Sequence, residues 1–363
     1  MLFTSLVTFV LLIPTVKSLF IPISKPLSRR KPNKVDIFDK NLAVWWNNKT
    51  NRWCATDDMC LHRQGSLSKG VITKQGDIKC GYHGLEYGGC GTCKHMPSNN
   101  KPLNLKLDAY DIVEKHGMLW LTDNDPLDTD VVGNLLKTTH RTNWYCVDVD
   151  TGIGLLFENS FDSLHFHHVH HQILPIINRN SPLPAIEEDT CNLKWYNQSG
   201  FSFTLGNAQF TFIAPYLVTF TINDYFNVCA YILPINENKS KFISNLFLPC
   251  VNNLQKYTAD NMVALFTPIL NNFSDKVFQQ DIRQIVPQQG YTRKYGKKYI
   301  SNYAADKPIQ LYNKWVDEYS HIQPSEITPP QPSTKPNLHP QQSLSAKILG
   351  IDVILDLSKK LNI

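Results

Sequence analysis

The chain has 363 residues, 42% hydrophobic and 18% charged, which describes a folded globular protein of about two domains and excludes a disordered or collagen-like chain. Its net charge of +5 sits at the start, because residues 1–35 hold six Lys/Arg and no acid, leaving 30 basic against 31 acidic residues in the rest. A near-neutral body without basic stretches interleaved with aromatics excludes nucleic acid as a partner.

Taken in chain order, Met1 to Val16 is a mostly apolar run, too short and wrongly flanked for a spanning helix, and Val16-Lys17-Ser18 resembles the pattern before a signal-peptidase cut. The stretch that follows, with Ser24, Ser28 and Arg29-Arg30-Lys31, is hydroxylated, basic and acid-free, as transit peptides are. Signal plus transit, with Phe20 at the junction, resembles a bipartite plastid leader and places residues 1–35 outside the fold. An ordinary signal peptide or membrane anchor with a basic linker is the alternative, which leaves a secretory or membrane-associated location open.

Residues 36–125 read as a small β domain. Leu42 to Trp46 and Gly117 to Leu121 are short, apolar and aromatic, as strands are. Between them lie Cys60-Leu-His62 and, 17 residues on, Cys80-Gly-Tyr-His83. The nine cysteines of the chain are odd in number and without framework spacing, so they point to metal chemistry rather than disulfides. Two Cys/His pairs on separate loops suit a [2Fe–2S] cluster with thiolates on one iron and imidazoles on the other. A tetrahedral zinc site is the alternative, although zinc fingers usually pair Cys with Cys and His with His. Cys90-Gly-Thr-Cys93 reads as two free thiols near a turn, with a redox pair as the other reading.

Residues 126–320 form the second domain. Five of the twelve histidines fall between His165 and His171, a density that marks a metal site. His167/His171, His165/His168 and His165/His170 are all open as ligand pairs. The last is separated by about 140° on an ideal helix and requires the helix to end or become irregular. Phe201 to Leu205, Gln209 to Ala214, Tyr216 to Ile222 and Val228 to Leu233 alternate with period two, punctuated by Gly206-Asn207 and Asn223-Asp224, and predict an antiparallel sheet. Helices are expected from about Asn253 to Phe266 and Ser274 to Ile285, packed on one face to enclose an apolar cavity. Six prolines between Pro324 and Pro340 make residues 321–343 an extended linker, and residues 344–363 an amphipathic tail, packed on the protein or touching a membrane surface.

Around the first ligand pairs, Cys60-Leu-His62-Arg63, Leu67-Ser68-Lys69-Gly70 and Tyr82-His83-Gly84 resemble the Rieske domain of Rieske-type oxygenases. Asp162-x2-His165-x4-His170 is similar to their mononuclear iron segment. That resemblance implies His165 and His170 as iron ligands, Asp281 in Phe278-Gln-Gln-Asp281 as the third, and Asp162 as the residue that bridges to a neighbouring subunit's cluster in a homotrimer. It implies an α+β chain, an all-β Rieske domain followed by a helix-grip-like catalytic domain, with a [2Fe–2S] cluster, a mononuclear Fe(II), a ferredoxin-type electron donor and a hydrophobic substrate. Val44-Trp-Trp46, Phe212-Ile-Ala-Pro215 and Ala304-Ala-Asp306 with Tyr312 to Asp317 are similar to the plastid branch containing pheophorbide a and chlorophyllide a oxygenases, which favours a chlorophyll-derived tetrapyrrole. Leu61, Gly81 and Leu85 depart from the residues usual in that branch. A sterol oxygenase and a non-catalytic redox or scaffold protein are the alternatives.

Overall fold

The computed structural model describes residues 21–98, 102–122, 139–141, 144–162, 164–170, 191–205, 208–222, 226–249, 253–296 and 304–320. The apolar run at the start, the proline-rich linker and the tail lie outside them. The described chain is α+β, with three antiparallel sheets and α-helices only from Ile153 onward.

The first sheet has the order β1-β10-β9-β4-β3-β2, formed by Ile21–Ser24 (β1), Asn33–Ile37 (β2), Lys40–Asn47 (β3), Arg52–Asp57 (β4), Ala109–Lys115 (β9) and Met118–Thr122 (β10). The short apolar and aromatic runs of β3 and β10 are legible in the sequence, but β1 corrects the leader boundary. Ile21 and Ile23 are buried, and Ile21 lies opposite Leu121 and Pro22 opposite Trp120. Arg29 also stacks 3.9 Å above the Trp46 ring and pairs with Glu114 at 2.8 Å. From Ile21 on, the segment expected to be leader is folded into the first domain, because an alternating Ile-Pro-Ile finds an apolar edge on β10.

A smaller sheet of Val71–Ile72 (β5), Ile78–Lys79 (β6), Glu86–Tyr87 (β7) and Cys93–His95 (β8) lies between β4 and β9 in sequence. Its strands are two or three residues long, so their main task is to fix the loops they join. The third sheet runs β11-β18-β17-β16-β15-β14-β13, with β12 also paired to β18. These strands are Thr139–Arg141 (β11), Tyr145–Val149 (β12), Cys191–Asn197 (β13), Gly200–Leu205 (β14), Ala208–Ile213 (β15), Leu217–Ile222 (β16), Phe226–Asn236 (β17) and Lys239–Pro249 (β18). The four predicted strands are β14 to β17.

Four α-helices accompany this sheet: Ile153–Phe161 (α1), His165–Val169 (α2), Asn253–Tyr295 (α3) and Lys307–Tyr319 (α4). The two helices expected between Asn253 and Ile285 are a single one of 43 residues. Its low amphipathicity hides the continuity across residues 267–273, between the two expected helices. One face of the sheet buries Phe201, Phe203, Phe212 and Ile232 against Phe157 and Phe161 of α1, Phe278 and Ile285 of α3, and Tyr312 and Trp315 of α4. A second core joins the first and third sheets, with Ile23, Trp120 and Val44 from one side and Trp144, Tyr231 and Phe247 from the other. At this junction the β2–β3 turn holds Phe38 and Asp39 at φ of 54° and 56°, unusual for a bulky residue. Their amides donate to Pro234 and Ile235 of β17 at 2.9 and 2.8 Å, which fixes the turn.

Candidate metal centres

The first centre is built by two loops with the same wiring. In one, the Cys60 amide donates to the Gly65 carbonyl (2.9 Å) and the Gln64 amide returns to Cys60 (2.8 Å). In the other, Cys80 donates to Leu85 (2.8 Å) and Gly84 returns to Cys80 (3.1 Å). Both turns close through a left-handed residue, Gln64 at φ 56° and Gly84 at φ 76°. Gly70 lets the loops meet, since a Cβ there would lie 2.0 Å from the Lys79 carbonyl oxygen. Cys60 and Cys80 are buried free thiols, whereas His62 and His83 are exposed with ring centroids 4.6 Å apart. Two thiols inside and two imidazoles at the surface fit a [2Fe–2S] cluster whose histidine-bound iron faces solvent. Burial pushes the Cys60 thiol up, and the Tyr87 hydroxyl offsets only part of that rise. That hydroxyl lies 3.4 Å from Cys60 Sγ and accepts from the Leu61 amide at 3.2 Å. Tyr87 gives no signal in the sequence beyond being an aromatic in a short strand.

Cys90 and Cys93 face different surroundings. Cys90 is exposed and 2.7 Å from the Thr92 hydroxyl, which lowers its pKa, while Cys93 is buried and points to the His95 carbonyl. Both are free thiols, Cys90 within the β7–β8 turn and Cys93 at the start of β8.

The second centre assembles from three elements. Helix α2 starts at His165 and stops at Val169, so His170 leaves the helical path; this ending is what the His165/His170 spacing requires. Asp162 ends α1, and its Oδ1 accepts from the amides of Leu164 (2.8 Å) and His165 (3.4 Å). Asp162 Oδ2 lies 3.7 Å from His165 Nδ1. Burial works against the Asp162 charge, but His165 and these amides hold its pKa below the ordinary carboxylate value. The third element is α3, which brings in Asp281.

His165 Nε2 is 3.5 Å and His170 Nε2 3.1 Å from Asp281 Oδ1, and the three ligand atoms lie within 4.8 Å of one another. Metal–ligand bonds of roughly 2.1 Å at right angles would place such atoms about 3 Å apart. Asp281 is buried, and its Oδ1 accepts no well-formed hydrogen bond among the described residues, so the arrangement fits a cation between these atoms. Burial lowers the His170 pKa, yet the Asp281 carboxylate and the Gln280 amide leave it raised overall. A proton therefore competes with a metal for Nε2. His168 is exposed; the His167 side chain and His171 lie outside the described residues.

Comparison with known proteins identifies the domain that holds the first centre. The family described as "Rieske [2Fe-2S] domain" matches residues 19–114. Over 214 residues the chain is 28% identical to flavonoid 8-hydroxylase 2, chloroplastic, of Ocimum basilicum, covering 53% of this chain and 41% of that protein. Over 188 residues it is 27% identical to pheophorbide a oxygenase, chloroplastic, of Arabidopsis thaliana, covering 45% and 34%. The chain thus spans less than half the length of these two relatives. Dicamba monooxygenase bound to dicamba shares the fold, with a TM-score of 0.62 at 17% identity over 84% of this chain and 98% of that one. Proteins of this kind carry a [2Fe–2S] cluster and a mononuclear iron, and the donor sets described above match both. The chain carries a Rieske [2Fe–2S] domain over residues 19–114 and is similar to pheophorbide a and chlorophyllide a oxygenases.

Proposed function

We propose that this chain is an oxygenase that uses O₂ and electrons from a ferredoxin-type donor to oxidise a large, flat, mostly apolar substrate in a plastid. The observation that carries the reading is the close approach of His165, His170 and Asp281, the last two buried, in the same chain as the two Cys/His loops. A protein that only relayed electrons would not need three ligands drawn from α2, its end and a helix more than a hundred residues later.

When bound, the cluster supplies single electrons and the mononuclear iron supplies O₂ reduction. Cys60, His62, Cys80 and His83 hold the first, with the two exposed imidazoles turned to a redox partner. His165, His170 and Asp281 would hold the second, two imidazoles and one carboxylate being a donor set suited to Fe(II). Asp162 keeps the His165 ring aimed through Nδ1 and, in a homotrimer, connects it to a neighbour's cluster. Phe161, one residue before Asp162, lies 5.3 Å from Phe201 and 6.4 Å from Phe203. Phe203 continues through Phe210 to Phe220 as a stack across β14, β15 and β16. These rings belong to the packed core on which α1 rests, so they fix the end of α1 at Asp162.

A chlorophyll-derived tetrapyrrole such as pheophorbide a is the first candidate, with chlorophyllide a next, on the similarity to the Arabidopsis protein and to its counterpart in Oryza sativa. The similarity to the Ocimum enzyme favours a flavonoid as the second reading. Incubation of the reduced holoprotein with each compound under ¹⁸O₂ decides between them. Label in neither tetrapyrrole but in a flavone removes the first reading. Label in none, with two irons per chain rather than three, removes the oxygenase.

A further inference from the structure

The two histidines of the second centre point Nε2 inward and Nδ1 outward, but different groups stand behind them. Behind His165 is a carboxylate, Asp162 at 3.7 Å; behind His170 is an amide, Gln280 Oε1 at 2.9 Å. Gln280 directly precedes Asp281 on α3. Consecutive helical residues diverge by about 100°, so α3 reaches the same centre twice. Asp281 comes from the Nε2 side of His170 and Gln280 from its Nδ1 edge. Phe278 and Ile282 pack α3 into the core and so fix the level at which both side chains emerge.

We propose that Gln280 is a positioning residue for the mononuclear centre: by accepting from His170 Nδ1–H it holds the ring with the Nε2 lone pair facing His165 and Asp281, and thereby sets how tightly the centre holds a divalent metal. This rests on the triad reading above. A neutral imidazole carries one N–H, and the group bonded to the outer nitrogen decides which nitrogen is left for the metal. An amide oxygen at 2.9 Å selects the tautomer that a ligand needs. The same amide turned over would donate to Nδ1 instead, put the proton on Nε2 and give it to Asp281 at 3.1 Å. Glutamine thus serves His170 in the loaded and in the metal-free chain, whereas glutamate would serve only the loaded one and leucine neither.

The test uses the full chain with its cluster in place, stripped of the mononuclear metal by a chelator and titrated with cobalt(II), read from its visible absorption and by calorimetry. The cluster's electron paramagnetic signal monitors integrity. Gln280→Leu is expected to weaken cobalt binding about 10–100-fold, the range for removing such a partner, with the cluster signal unchanged. Gln280→Glu is expected to bind at least as tightly as the parent. Equal weakening in both variants would mean that Gln280 only packs α3, and unchanged affinity in both would mean that it does nothing for the metal; either result overturns the proposal. If the parent bound no cobalt, or His170→Ala and Asp281→Ala bound it undiminished, the triad reading itself would fall and this one with it.

Discussion

Strand β1 offers the sharpest test of where the fold begins. Ile23 is fully buried, and its neighbours in the core include Trp120 of β10 and residues of the third sheet. Truncating a buried Ile to Ala costs about 2–5 kcal/mol, depending on how far the site collapses. Here the strand has one partner, β10, and lies at a sheet edge, so partial relaxation puts the expectation for Ile23→Ala near the lower end, about 2–3 kcal/mol. Whole domains are stable by only about 5–15 kcal/mol, so the shift is large enough to read directly. Guanidinium unfolding of a chain starting at residue 20, followed by tryptophan fluorescence, measures it. Ser28→Ala and Lys31→Ala, on exposed positions of the same segment, serve as controls and stay within about 0.5 kcal/mol. An Ile23→Ala midpoint indistinguishable from these controls would refute the assignment and return residues 21–35 to a removable leader.

The two metal sites separate cleanly under mutation. Cys60→Ala or Cys80→Ala removes the rhombic signal of the reduced mixed-ligand cluster, and a colourless protein with stoichiometric zinc would contradict the cluster. His165→Ala, His170→Ala and Asp281→Ala each lose the mononuclear metal and turnover while the cluster signal survives, as metal analysis and electron paramagnetic resonance would show. Asp162→Asn keeps both metals and slows turnover, since it still caps α2 but loses its charge behind His165; loss of iron instead would make Asp162 a structural residue only. Tyr87→Phe removes a hydroxyl 3.4 Å from Cys60 Sγ and lowers the cluster potential. At about 0.5–1.5 kcal/mol per hydrogen bond the change is on the order of 20–60 mV in a redox titration, and an unchanged potential would mean that the hydroxyl serves only the Leu61 amide.

The sequence exposes the first centre because its ligands come in pairs two or three residues apart, so chemistry and spacing are visible together. The second is half visible. The histidine-rich segment declares a metal, but three ligand pairs fit until α2 is seen to stop at Val169, and Asp281 has no local mark beyond its resemblance. Gln280 is hidden for a plainer reason, since nothing in Gln279-Gln280-Asp281 tells which amide meets a ring 110 residues away. Strand periodicity marked β14 to β17 even though β17 is buried on both faces, with Ile232 toward the helices and Tyr231 toward the first sheet. It missed β1, where four residues inside a basic, hydroxylated stretch carry too little pattern to outweigh the composition around them, and α3 was divided because its helical stripe fades across residues 267–273.

The β2–β3 turn described above, with its two amides donated to β17, bears on modularity. Cluster-bearing domains are natural objects for exchange between relatives, to change donor preference or potential. In this chain the cut does not fall between two closed surfaces. Phe38 and Asp39 end their hydrogen bonds on Pro234 and Ile235, and Ile23, Trp120, Trp144, Tyr231 and Phe247 share one core. A graft that brings the cluster domain alone exposes half of that core and strands two amides. A working chimera must import the facing strip of β17 and β18 with it, so the smallest transplantable unit is larger than the domain that binds the cluster.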